Sequence, residues 1–432
     1  MKINFRFLLL LPLLVLLLTD PAFLEFITPD EETPLAGQLR YALLGFGVVS
    51  LVLYGRRLPQ LAWRWLLVVL LAHGLLALES YAEWGAWMAY PHVFSKLTDL
   101  LTLLGFFAFY YRFGLPPMGT LMVLLLTALF GSLLLNHPEA LSLGAFLENE
   151  RGFTVTSAYL FLLPALYYLN RYFAGGGVVS MLVCLGCLAM ILFLQHRTVW
   201  LSTILALLLT AFLARRIGPP QLLLRRLTPL LLVPMLLGLT GGLAVVLDDP
   251  QVLRKLSSSL DDIQHVDKQG TGSWRLKQFE AYVPFILERP VAGWRNEGFE
   301  LPVQFYGSDD DAPVWEDRTG HHFHSFYMDR LFYFGILGVL LAIAAPFLLV
   351  VRFLRRPGPI PPVVLALVAF SGSSLQYGFS FDWPLYLYGL LGLGLASVAL
   401  VPTTAPAAPP ASPTPPASLN PSVLTAPAYA AP

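Results

Sequence analysis

His321, His322 and His324 stand at the end of a long polar segment, in the stretch HHFHSFYMDRLFYFGILG, which carries Arg330 six residues after the last histidine and then turns apolar. An imidazole titrating near neutrality is suited to taking a proton from a hydroxyl. An arginine fork gives a diphosphate paired, charge-assisted hydrogen bonds that a lysine ammonium cannot. Arg151, Arg197, Arg275, Arg289, Arg295 and Arg318 belong to the same set of outer loops and helix ends. The chemistry in view is proton removal from a hydroxyl beside a bound diphosphate.

Two metal readings compete with this one. His322 and His324 form an H-x-H pattern near Asp309, Asp310, Asp311, Glu316 and Asp317, and such a set could hold zinc. The carboxylate run reads better as a solvated loop, and the arginines already supply positive charge, so no metal is expected. Cys184 and Cys187 form a C-x-x-C pair inside an apolar run with no second pair or histidine in view, which reads as buried, inert thiols.

The elements that must position these residues are membrane helices. The chain has 432 residues, 56% apolar and only 12% charged, with a mean hydropathy of +0.66. That is too apolar for a soluble protein of this length. The net charge of zero argues against nucleic acid as a partner. Apolar runs long enough to span a bilayer number about twelve, and backbone at that depth must bond internally, so all are expected to be α-helices. The basic start and apolar core of the first run lack a small-residue cleavage site, which favours an uncleaved span.

The expected organisation is nine spans in residues 1–247, a polar loop with short helices in 248–330, three spans in 331–401 and a tail in 402–432. The tail is mostly Pro, Ala, Ser and Thr without charge, a composition that cannot build a core. Lys2, Arg6, Arg56, Arg57, Arg112, Arg171, Arg215, Arg216, Arg225, Arg226, Arg352, Arg355 and Arg356 all flank loops of one side. By the positive-inside rule that side is cytoplasmic, which puts 248–325 outside. Arg151 and Arg197 break the pattern at outer ends and call for another explanation.

Arg197 occupies a tight reversal between two spans, where it would either anchor to headgroups or face a ligand. Arg275 opens a helix in which Trp274, Gln278, Tyr282, Phe285 and Arg289 fall on one stripe, with Thr271 or Ser273 as its cap, a kink at Pro284 and a stop at Pro290 and Gly293. Lys96 and Asp99, three residues apart in the fourth span, read as a pair that neutralises itself. His324 also reads as a surface histidine at a helix start.

Spacing adds a family. His324-Ser325, nine residues, Gly335, two residues and Gly338 resemble the H-[NSQ]-x9-G-x-x-[GTY] signature of the bacterial O-antigen ligase and polymerase superfamily. Within residues 151–356 the order of parts is also similar: an arginine turn at Arg197, with His196 where relatives carry Ser; a long loop; Arg275 with Phe279 four residues on; and a Pro/Gly turn at Pro290 and Gly293. Arg151 loosely resembles the superfamily's arginine before the middle span. The resemblance implies a GT-C-like, metal-independent, inverting glycosyltransferase of the bacterial inner membrane, active at the periplasmic face, using no cofactor. It implies undecaprenyl diphosphate as glycan carrier and lipid A-core, or another lipid-linked glycan in the polymerase branch, as acceptor. His324 would be the base, with Arg197 and Arg275 on the diphosphate. Arg151, Arg289, Arg295, Arg330, His322 and Ser325 would contribute to substrate binding, and Ser325 at the [NSQ] position inclines the reading to a ligase. A transporter of lipid-linked glycans is the rival of another class, one that would place its charges within the spans.

Overall fold

The computed structural model describes residues 5–27, 35–148, 150–217, 220–237, 271–303 and 320–402. Every regular element among them is a helix. After a 3-10 turn at Phe5–Leu10 come α1 Leu11–Leu17, α2 Pro21–Leu24, α3 Leu35–Tyr54, α4 Gln60–Trp84, α5 Pro91–Phe113, α6 Met118–Asn136, α7 Leu143–Glu148, α8 Val155–Leu160, α9 Leu162–Phe173, α10 Val178–Phe193, α11 Arg197–Ala214 and α12 Pro220–Leu237. The chain then continues through α13 Thr271–Glu288, α14 Glu297–Glu300, α15 Phe326–Leu354, α16 Pro362–Ser380 and α17 Leu385–Leu400.

Seven of these are long and apolar enough to cross a membrane, and three shorter apolar helices, Arg6–Leu17, Val178–Phe193 and Leu385–Leu400, accompany them. The chain is an all-α membrane protein. Two of the expected twelve runs differ in the structure. The run 155–169 splits into α8 and α9 at Phe161, because Pro164 has no amide to give the carbonyl four residues back. Helix α12 starts earlier than its apolar run and carries Arg225 and Arg226 within it; residues 238–247 lie outside the described set.

Helix α5 is the centre, with 72% of its span buried against 28% for α4 at the periphery. It packs most extensively on α17 and α3. A Cβ on Gly105 would stand 2.8 Å from the Gly47 carbonyl carbon, so α3 and α5 meet backbone to backbone, as small residues permit in lipid. Cys184 and Cys187 are buried and free of disulfides. At the end of α15 remote from His324, Arg216 donates to the Leu354, Arg356 and Gly358 carbonyls, and Arg226 to those of Tyr172 and Phe173. Two of the expected inner-side arginines, Arg216 and Arg226, thus bind carbonyls at helix ends.

Candidate active site

The histidine segment is held by a break in α15. Gly335 sits at φ 61°, ψ −161° inside the helix, which frees carbonyls and amides on either side of it. The turn after α13 takes them up. Trp294 and Arg295 amides donate to the Phe332 and Tyr333 carbonyls at 3.0 and 2.7 Å, and the Ile336 and Leu337 amides donate to Pro290 and Val291 at 2.9 and 3.1 Å. Backbone groups at membrane depth need such substitutes. The turn's own Gly293, at φ 64°, lies so close to Tyr333 and Phe334 that a Cβ would come within 2.5 Å of their backbone.

Above this joint the polar segment is pinned to α13 and α15. The Tyr333 hydroxyl accepts from the His321 amide and donates to its carbonyl, both at 3.0 Å. The buried His321 ring lies 2.6 Å from the Tyr282 hydroxyl and 3.0 Å from the Leu301 carbonyl. Gln278 donates to the His322 carbonyl at 3.1 Å. Gln278 and Tyr282 therefore face inward as their spacing predicts, and the helix runs through Pro284 to Glu288. The side chains of Thr271 and Ser273, the expected caps, lie outside the described residues. Ser325 accepts the Met328 amide at the start of α15 and donates to the Gly378 carbonyl at 3.2 Å.

His324 is thereby presented at the mouth of α15, exposed, with its ring 6.2 Å from that of Phe381 in the α16–α17 turn. The guanidinium of Arg275 lies on the same Phe381 ring, 4.6 Å from its centroid. Partial burial, and then the Arg275 charge, hold the His324 imidazole below its ordinary proton affinity. At neutral pH it is in the form that accepts a proton. Arg275 Nε is buried with no hydrogen-bond partner among the described residues.

A second cationic group stands at the α11 N-terminus. Arg151 Nη1 lies 3.5 Å from His196 Nδ1, and His196 Nε2 lies 2.9 Å from the Phe153 carbonyl. Burial and the Arg151 charge hold His196 down to about 4, so it is a neutral spacer between arginines. Burial and the nearby Arg197 charge disfavour the cationic form of Arg151. Arg151 Nε is likewise buried without a partner among the described residues. Buried donors are nearly always satisfied, so each of these two guanidinium nitrogens has room for an acceptor beyond the described residues.

Residues 182–343 match the family model described as O-antigen ligase. The segment is similar to O-antigen ligases. The match covers less than half of the chain; it shows a likeness to O-antigen ligases and supports a membrane glycosyltransferase of ligase or polymerase type. No curated protein matches the chain. The matched segment contains Arg197, Arg275, Gly293, His324, Gly335 and Gly338, while Arg151 and Phe381 lie outside it.

The other expected binding residues have protein partners. Arg289 pairs with Glu297 at 2.7 Å and lies over Trp294 at 4.0 Å. Arg295, at φ 50°, pairs with Glu79 at 2.6 Å. Arg330 is buried within α15, bound to Asp329, donating to the Tyr388 hydroxyl at 2.8 Å and lying over Phe326 at 4.9 Å. The His322 ring is 4.3 Å from that of His92. Lys96 and Asp99 do not neutralise each other: Lys96 binds Asp329 of α15, and Asp99 binds Arg40 of α3 at 3.0 Å. Being one turn apart on α5, they are each claimed by a different neighbouring helix.

Sequence reasoning missed Phe381 and its neighbour Asp382. Asp382 is open to solvent yet crowded by protein; that crowding raises its carboxyl to about 6 against the opposing pull of Arg330. Nothing in a short turn between two spans singles either out. Among the described residues no group of three or more His, Cys, Asp or Glu could hold a metal; the carboxylates at 309–311, 316 and 317 lie outside them.

Proposed function

We propose that the protein is an O-antigen ligase that moves a glycan from undecaprenyl diphosphate to a hydroxyl of lipid A-core at the periplasmic face of the bacterial inner membrane. The observation that carries this reading is the shared ring of Phe381, with His324 on one side and Arg275 on another. His324 takes the proton of the acceptor hydroxyl, and the resulting oxygen attacks the anomeric carbon. The bond from that carbon to the phosphate oxygen breaks, and its electron pair leaves with the diphosphate. Attack opposite the leaving group inverts the anomeric configuration. Arg275, Arg197 and Arg151 take up the charge that grows on the leaving group, the kind of preorganised electrostatic help that makes the largest single contribution in many enzymes. No cofactor, nucleotide sugar or divalent metal enters this scheme.

The test is purified protein with synthetic undecaprenyl-diphosphate-linked glycan and a lipid A-core acceptor. Release of undecaprenyl diphosphate that depends on the acceptor, persists in chelator and disappears in His324→Ala is expected. Transfer that survives His324→Ala removes the base, and activity lost to chelator and restored by metal replaces the scheme with a metal one. Ligase and polymerase share the donor side of this chemistry. A deletion strain that keeps long polymer on the carrier and none on lipid A-core supports the ligase; one with single repeats only identifies a polymerase.

One feature favours a transporter instead: the Lys96, Asp329 and Arg330 cluster lies inside the spans, where carriers place charge. Movement of intact donor across a vesicle bilayer without release of undecaprenyl diphosphate would support that reading.

A further inference from the structure

Between α9, α11 and α12 runs a groove of about 670 Å3, walled by apolar side chains such as Phe173, Leu208, Ala211, Leu224 and Leu231. None of Arg151, Arg197, Arg275 or His324 lines it. Its volume is in the range of roughly 300–1,000 Å3 usual for ligand sites. Helix α12 packs chiefly on α9, held there by Arg226, whose guanidinium donates to the Tyr172 and Phe173 carbonyls. Across the groove from α11 it is open: Leu208 of α11 and Leu224 and Leu231 of α12 are each more than half exposed.

The wall carries two polar side chains, Thr210 and Arg215. Thr210 is buried, and its hydroxyl has no hydrogen-bond partner among the described residues, although a helical threonine can bond the carbonyl one turn back. Arg215 is exposed at the C-terminal end of α11, and no hydrogen bond or ion pair holds its guanidinium among the described residues. Carbonyls at the neighbouring helix ends are already served by Arg216 and Arg226, so Arg215 is not needed as their donor. Arg171, in the last turn of α9, and Arg225 of α12 are exposed and unpartnered in the same way. Residues 151–247 contain no Asp or Glu, so the three helices that wall the groove present cations without an anion.

Arginine at a helix end is the ordinary mark of one side of a membrane protein. What sets Arg215 apart is the groove beside it and the Thr210 hydroxyl five residues back, about 7.5 Å along the helix axis. A glycerophospholipid presents groups in that order: an anionic phosphate, then ester carbonyls that accept hydrogen bonds and cannot donate them, then acyl chains.

We propose that this groove binds one anionic glycerophospholipid, with its phosphate on Arg215, an ester carbonyl accepting from Thr210 and an acyl chain between α11 and α12. The preference for net negative charge follows from the surroundings. A zwitterionic lipid brings its ammonium among Arg171, Arg215 and Arg225, where no carboxylate receives it. The bound chain completes the packing of α12, which is otherwise joined to the bundle mainly along α9. The site lies beyond the transfer reading and does not depend on it.

The full-length protein is exchanged into detergent micelles carrying equal amounts of dioleoyl phosphatidylglycerol and dioleoyl phosphatidylcholine, and the lipid it retains is identified by native mass spectrometry. The wild type is expected to keep one phosphatidylglycerol, in about ten-fold preference. Arg215→Gln should bring that preference down to about unity, and Thr210→Val should lower retention about five-fold, the size of one hydrogen bond. Ala211→Trp, which fills the groove and leaves every arginine in place, should lower retention of both lipids about ten-fold. Arg352→Gln removes an exposed arginine that does not line the groove and should change nothing. Ala211 and Arg215 are exposed, so unchanged gel-filtration elution is expected. Equal retention of the two lipids by the wild type, an equal fall in Arg352→Gln and Arg215→Gln, or retention that survives Thr210→Val or Ala211→Trp overturns the site. Displacement of the lipid by inorganic phosphate overturns it as well and assigns the arginines to a free anion.

Discussion

A side chain on Gly293 would collide with Gly335, and one on Gly335 would collide with the Val291–Ala292 peptide of the turn that Gly293 ends. A Cβ on Gly293 would stand 2.6 Å from the Gly335 amide, and one on Gly335 would stand 2.7 Å from the Ala292 amide. Both are at positive φ. The two glycines thus let a loop enter the backbone of a membrane helix, and the loop's amides and carbonyls replace the helix's own.

Gly293→Ala and Gly335→Ala should therefore each destabilise the protein by more than about 2 kcal/mol, since left-handed backbone alone costs about 1–2 kcal/mol for a residue with a Cβ and a clash adds to it. Gly186→Ala, with nothing within 4 Å of its Cβ, is the control and should be neutral. Thermal unfolding in detergent measures all three. Wild-type melting of either interlocked variant removes the joint as a stabilising feature.

The activity of the wild-type protein should rise with pH along a limb that lies below the ordinary imidazole value of 6.5, because His324 is held down by burial and by Arg275. The proton-accepting form is the neutral ring, so activity is lost as pH falls through that lowered value. Replacing Arg275 by Gln removes the cation, raises the imidazole and moves the limb to higher pH. A pH profile of kcat/KM for both proteins checks the direction; a limb that stays in place after Arg275→Gln separates the two side chains.

Arg275→Lys and Arg151→Lys should each lower transfer about 100-fold while leaving the melting temperature near that of the wild type. The orphaned Nε atoms are donors that a lysine does not possess, so retaining the charge is not enough. Initial rates of undecaprenyl diphosphate release give the comparison, and full activity of both lysine variants would mean that charge alone holds the donor.

Asp329→Leu should destabilise the protein by about 3–5 kcal/mol, the usual consequence of stripping a partner from buried charge. It strands both Lys96 and Arg330. Lys96→Met should cost less, since Asp329 keeps Arg330. Denaturation of the two single variants orders them, and the reverse order would show that Lys96, not Arg330, is the main partner of Asp329.

The spans were readable because each apolar run had to hide its backbone from lipid, a constraint that acts residue by residue along the chain. The inward stripe of α13 was readable for the same reason, since Gln278 and Tyr282 follow the helical period. Partners remote in sequence were not. Lys96 has Asp99 one turn away, so local spacing suggested a pair, whereas Asp329 lies 233 residues on. Arg330 was expected at the wet end of its helix and is instead enclosed by Asp329, Tyr388 and Phe326. Gly335 and the Pro290 to Gly293 turn were visible as a signature and a stop, but their mutual fit exists only in three dimensions. Ser325 was read as a hint about the acceptor, and its hydroxyl is engaged with the Met328 amide and the Gly378 carbonyl.

The tie between the Leu301 carbonyl and the His321 ring staples together the two ends of the stretch that separates them. The fastening makes the imidazole of His321 a structural clasp, so the three neighbouring histidines divide their labour: one ties the polar segment to the bundle and another, His324, is presented at its surface.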